Sequence, residues 1–147
     1  MENATLNNQN KLPISSDDLI KLLVLEVTCG STRNPMVKVI LNYKGKEIER
    51  SNSGNGPVDA IFNCINDLIE NNAKLELFLI NAITKGTDAQ AEVSVRLKEN
   101  DISVSGTASD TDTMVASANA YIIALNKLIM KRKKRNIDLN LSTKKIN

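Results

Sequence analysis

Histidine is absent from this chain of 147 residues. That removes Ser–His and Cys–His nucleophile pairs, imidazole general bases and every metal site that needs an imidazole. Tryptophan is absent too, and the only aromatics are Tyr43, Phe62, Phe78 and Tyr121. A stacking platform for single-stranded nucleic acid therefore lacks its material. The two cysteines, Cys29 and Cys64, cannot alone close a tetrahedral zinc site and are too few for a disulfide scaffold, so a reducing compartment is expected. No apolar run approaches the ~20 residues of a membrane span. The start, Met1-Glu2-Asn3-Ala4-Thr5, has neither the positive charge nor the apolar stretch of a signal peptide. The expected setting is cytoplasmic and soluble, without a membrane. The length suits one domain and falls well short of a barrel of about 250 residues.

What charge there is lies unevenly. Lys131-Arg132-Lys133-Lys134-Arg135 places five cations in a row, leaving 14 basic against 17 acidic residues elsewhere. Such a run attracts nucleic acid or acidic surfaces, yet it is also the ordinary ending of a helix, whose C-terminus favours cations. Residues 1–17 are polar, rich in Asn and Ser, and carry Pro13; they read as a linker or disordered lead-in. Residues 131–147 read as a basic tail, and the folded part is expected over 18–130.

Within that part the sequence repeats. A shift of 56 aligns Gly30, Val37, Val39, Leu41 and Ile48 with Gly86, Val93, Val95, Leu97 and Val104. A shift of 60 then aligns Val58, Ile61, Phe62, Ile65, Leu68 and Ile69 with Ala118, Tyr121, Ile122, Leu125, Leu128 and Ile129. The first set alternates as half-buried strands do, although Ile40 breaks the alternation. The second set is an apolar helical stripe. Tyr43–Glu47 and Lys98–Asp101 supply hairpin turns, and Leu22–Thr28 and Leu75–Thr84 supply leading strands. Pro57 opens the first helix and Asp110 or Thr111 precedes the second. The expected fold is α+β, a tandem βββα-βββα repeat with pseudo-twofold symmetry, its antiparallel sheets packed on two helices. Repeat one covers about 20–72 and repeat two about 73–130. A half of ~55 residues is marginal alone, so the two are expected to share a core.

Three loops carry the chemistry that remains. Ser51-Asn52-Ser53-Gly54-Asn55-Gly56-Pro57-Val58-Asp59-Ala60 enters a helix, whose unpaired N–H groups suit an anion such as a carboxylate. It lacks the phosphate-loop lysine, and a plain strand-to-helix turn accounts for the same residues. In Thr84-Lys85-Gly86-Thr87-Asp88-Ala89, Asp88 suits an ammonium group, with an Asx turn as the structural alternative. Ser109-Asp110-Thr111-Asp112 suits helix capping. The set matches a free amino acid. It does not match acid–base catalysis, which needs a tuned proton carrier beside a reactive group. Cys64 reads as a buried apolar side chain.

Three segments in order, Gly54–Ala60, Asn81–Ala89 and Asp112 through Ala116–Asn126, resemble the C-terminal allosteric domain of 2-isopropylmalate synthase, shared with citramalate synthase. Val27-Thr28-Cys29-Gly30 is similar to the start of that domain. The resemblance spans about Leu22 to Leu128. It implies two βββα units, homodimerisation, and binding of leucine as a feedback inhibitor. Isoleucine, as in citramalate synthase, is the nearest alternative effector. By motif match, Gly54, Gly56, Val58 and Asp59 would line the effector pocket, with Phe78 and Ala82 on the adjoining strand, Asp88 and Ala89 in the next loop, and Asp112 or Asp110 approaching from the second unit. The family's catalytic partner is a (β/α)8 barrel with a divalent metal held partly by histidines. This chain has neither the length nor the histidines, so it is expected to be non-catalytic by itself, with no cofactor of its own. A basic-tailed interaction protein with no small-molecule ligand is the reading from another class; nucleic acid is not expected as a partner.

Overall fold

The computed structural model describes residues 18–83 and 89–146. In chain order it contains β1 (Lys21–Gly30), β2 (Arg33–Tyr43), β3 (Lys46–Ser53), α1 (Pro57–Leu68), β4 (Lys74–Ala82), β5 (Ala91–Glu99), β6 (Ile102–Asp110) and α2 (Thr113–Ile146). The strands form two antiparallel three-stranded sheets, β1-β2-β3 and β4-β5-β6. The architecture is the expected βββα-βββα repeat.

The middle strands explain why. Val37, Val39 and Leu41 on β2, and Val93, Val95 and Leu97 on β5, are all buried, so every second side chain enters the core. Ile40 points to the other face and stays half-exposed. Both hairpins turn on two residues: Lys44 and Gly45 have φ of 56° and 73°, and Asn100 has φ of 54°. Left-handed backbone of this kind matches the twist of the flanking strands. β1 and β4 each carry a register shift near their start, between Leu22 and Val24 and between Leu75 and Leu77.

α1 lies on β2 and β3, and α2 on β5 and β6, while the helices also touch each other and α2 reaches β1. The buried side chains of both halves form one cluster, as a marginal half-domain requires. Gly106 on β6 admits α2 at close range: a methyl there would sit 2.6 Å from the Ala124 nitrogen and closer still to the Ala120 carbonyl. Asn126 of α2 clamps the backbone of Ile20, accepting from its N–H at 2.7 Å and donating to its carbonyl at 3.0 Å. Its repeat equivalent, Asn66, accepts from Asn71 at 3.2 Å. Each asparagine thus holds the segment that leads into a sheet's first strand.

One expectation is corrected. The second helix does not end near Met130 but continues through the basic run to Ile146. No Gly or Pro interrupts that stretch, and its first turn is fastened to the folded body by the pairs described below. Within Thr113–Lys144 an 18-residue window of this helix is apolar enough to cross a membrane (mean hydropathy 1.3), but 56% of that window is buried in the protein, which is how a core helix behaves.

Candidate functional site

The loop after β3 is built on a close backbone return. A methyl at Gly54 would lie 2.6 Å from the Ala60 nitrogen and 2.7 Å from Asp59 Oδ2, so no side chain fits. Asp59 Oδ2 accepts the Asn55 N–H at 3.0 Å, which fixes the turn. Gly56 is the residue before α1, in extended backbone, with open space where a Cβ would be. Pro57 opens the helix and no side chain caps it. The first bond reaching back from the helix is Ala60 N–H to the Gly56 carbonyl, 3.0 Å. The N–H groups of Val58 and Asp59 therefore have no acceptor among the described residues; these open donors share the first turn with the Asp59 carboxylate, which is turned back onto the Asn55 N–H.

The start of α2 differs. Asp112 Oδ1 accepts from the N–H groups of Met114 at 2.8 Å and Val115 at 3.4 Å, and Asp110 Oδ1 accepts from Asp112 at 2.8 Å. This helix end already holds a carboxylate, which an arriving anion would have to displace.

Phe78, half-buried on β4, meets Phe62 of α1 edge to face, with ring centroids 5.8 Å apart. Phe62 in turn stacks on Tyr121 of α2 at 4.3 Å. The Tyr121 hydroxyl donates to Asn66 Oδ1 at 2.6 Å, and burial holds its pKa above the ordinary value. Three of the four aromatics thus join the halves, which the sequence offers no means of seeing. Ala82 pairs with Ala91, which pairs with Asp110, and the Ile83 N–H reaches the Gln90 carbonyl at 3.1 Å. Ala82, Ala89 and the Asp110–Asp112 segment accordingly gather at one end of the second sheet. Gly54, Gly56, Val58 and Asp59 form a separate group at the start of α1, connected to the first through Phe62 and Phe78. Asp88, with Thr84 to Thr87, lies outside the described residues. Among the described residues, no three Cys, Asp or Glu side chains come together as a metal-holding group.

The basic run is largely occupied. Arg132 forms a two-pronged pair with Glu99, its Nε 2.6 Å from Oε2. Lys133 lies 2.9 Å from Asp18, Arg135 grips both carboxylate oxygens of Asp101 at 2.8 and 2.6 Å, and Lys131 donates to the Ser103 carbonyl at 3.1 Å. Glu99 also accepts the Asn72 N–H at 2.9 Å. Its carboxyl is held below the ordinary value, chiefly by Arg132 and against the upward push of burial. A groove of about 700 Å³ between this stretch of α2 and the β5–β6 turn contains none of the expected effector residues.

Comparison with known proteins identifies the family. 2-Isopropylmalate synthase of Bradyrhizobium sp. (strain BTAi1) is 50% identical over 121 residues, which is 82% of this chain and 23% of the relative. The same enzyme of Rhodopseudomonas palustris (strain BisA53) is 51% identical over 119 residues, 81% of this chain and 23% of the relative. The chain therefore spans about a quarter of the length of these relatives. The profile of the LeuA allosteric (dimerisation) domain matches residues 5–129, and the chain belongs to that family.

Proposed function

We propose that this chain is a feedback-regulatory module of the 2-isopropylmalate synthase type: it binds leucine, pairs with a second copy, and performs no catalysis alone. The observation that carries the reading is the unequal pair of helix starts. α2 is capped by its own Asp112, whereas α1 begins at Gly56 with no side-chain cap. The leucine carboxylate would take the place of that missing cap, accepting from the backbone N–H groups of Val58 and Asp59. Phe78 and Ala82 would face its aliphatic chain, while Asp88 and Ala89, in the next loop, would meet its ammonium group. In this reading the module needs no metal or cofactor. It controls a synthase active site carried on a barrel outside this chain.

Thermal unfolding with leucine, isoleucine, valine and no ligand tests the proposal. Leucine at about 100 times its dissociation constant stabilises a single-site protein by about 2.7 kcal/mol. A shift with isoleucine but not leucine would reassign the effector, and no shift with any of the three overturns the reading. Gly56→Asp is the companion variant. Open space surrounds the Gly56 Cβ position, so the substitution leaves the fold intact and places a competing carboxylate at the helix start. Its unfolding midpoint is expected not to respond to leucine.

A further inference from the structure

The two repeats share aliphatic side chains at most of their matched core positions, and three positions break the match. Phe62 of α1 stands where α2 has Ile122, and Tyr121 of α2 stands where α1 has Ile61. Phe78 of β4 stands where β1 has Leu25, the register shifts of the two strands fixing their offset at 53 residues. At each of these places the other half of the fold does without an aromatic. The three rings nevertheless meet in one file, Phe62 stacked on Tyr121 and edge to face with Phe78. Phe62 is 7% exposed and Tyr121 2%, so the inner two are closed in, while Phe78 at the outer end is half-buried. The inner end is pinned as well. The Tyr121 hydroxyl donates to Asn66 Oδ1, an acceptor that in the equivalent Asn126 is given to the Ile20 N–H instead. A ring held between two others, the last of them hydrogen-bonded, has little freedom to turn.

We infer that Phe62 and Tyr121 are positioning residues for the choice of effector: they hold the Phe78 ring as a rigid wall, and that wall separates leucine from isoleucine. This rests on the function proposed above, in which Phe78 faces the aliphatic chain of the effector. The two amino acids are isomers with the same charge and the same atoms, so apolar burial alone gives a pocket little means of choosing between them. They differ in which carbon carries the branch. A wall that yields accepts either shape, whereas a wall fixed from behind accepts one and collides with the other. Neither Phe62 nor Tyr121 needs to touch the ligand for this.

Calorimetric titration of the full chain with leucine and with isoleucine tests the inference, read as the ratio of the two dissociation constants. Moving a branch by one carbon is comparable to adding or removing a methylene, so the wild-type ratio is expected to be at least about tenfold. Phe62→Leu keeps an apolar side chain in the core but takes away the ring behind Phe78, and the ratio is expected to fall to within about threefold of one. Tyr121→Phe keeps the stack and removes only the hydroxyl; a fall of at least about threefold is expected. Ile61→Val, at a buried α1 position outside the file, is expected to lower stability without moving the ratio. An unchanged ratio in Phe62→Leu or in Tyr121→Phe overturns the inference, and so does an equal fall in Ile61→Val, which would mean that any loosening of the core acts alike. A wild type that binds both isomers equally well overturns it too, and all of these results leave the effector reading standing. A wild type that binds neither overturns the effector reading and the inference together. If Phe62→Leu does not fold, Tyr121→Phe decides alone.

Discussion

One glycine and one asparagine carry more of this structure than their size would indicate. At Gly106 a side chain would collide with the backbone of α2 at Ala120 and Ala124, atoms that cannot swing aside as a flexible side chain does. Gly106→Val is expected to lower stability by about 3 kcal/mol, the upper range for overpacking a tight site; urea unfolding measures it. Asn126→Ala breaks both bonds to the Ile20 backbone and leaves an N–H and a carbonyl without their side-chain partner. A loss of about 1–3 kcal/mol is expected, together with faster amide exchange at Ile20. Glu99 links stability to pH. Arg132 holds its folded-state carboxyl below the ordinary value, so it contributes stability above the unfolded carboxylate pKa. That contribution fades as pH falls through the lowered folded value. Glu99→Gln therefore narrows the gap to wild type as the solution is acidified, an outcome that denaturation midpoints measured across the acidic range would register.

At the scale of the element, the basic stretch of α2 is a fastening. Lys133 and Arg132 reach Asp18 and Glu99, and Arg135 reaches Asp101. The helix is thereby tied to the residues preceding β1 and to the turn between β5 and β6. Beyond Arg135 the described side chains are exposed apart from Ile137, which is half-buried. Ending the chain after Arg135 is expected to shift the thermal midpoint by no more than about 2 °C, whereas ending it after Met130 strands Glu99 without its arginine and costs about 2 kcal/mol. The penalty shrinks in high salt, because the outer pairs are screened. Equal midpoints for the two truncations would show that the pairs add nothing. A nucleic-acid role for the run would require these cations to leave carboxylates they already hold.

At the scale of the molecule, the halves are joined through one apolar cluster and through the contact of Phe78, Phe62 and Tyr121. Phe62→Ala removes the middle ring and is expected to cost about 3–5 kcal/mol. Because the core is shared, the loss lowers one cooperative transition; two separate transitions in calorimetry would contradict a common core.

The alternation of Val93, Val95 and Leu97 and the stripe from Ile61 to Ile69 determined the strands, the helices and their repetition, because period and burial are local properties of a chain packing against one face. The Gly54–Asp59 loop was legible for the same reason: a glycine forced by close return and a proline at a helix start leave their marks in adjacent residues. The reach of α2 past Met130 was not legible, since the cations that fasten it draw on Asp18, Glu99 and Asp101, residues far away in sequence. Nor could composition tell that Phe62, Phe78 and Tyr121 meet across the two halves. Which rings meet, and which helix start lacks a cap, depends on what each strand and turn packs against, and only the tertiary structure decides that.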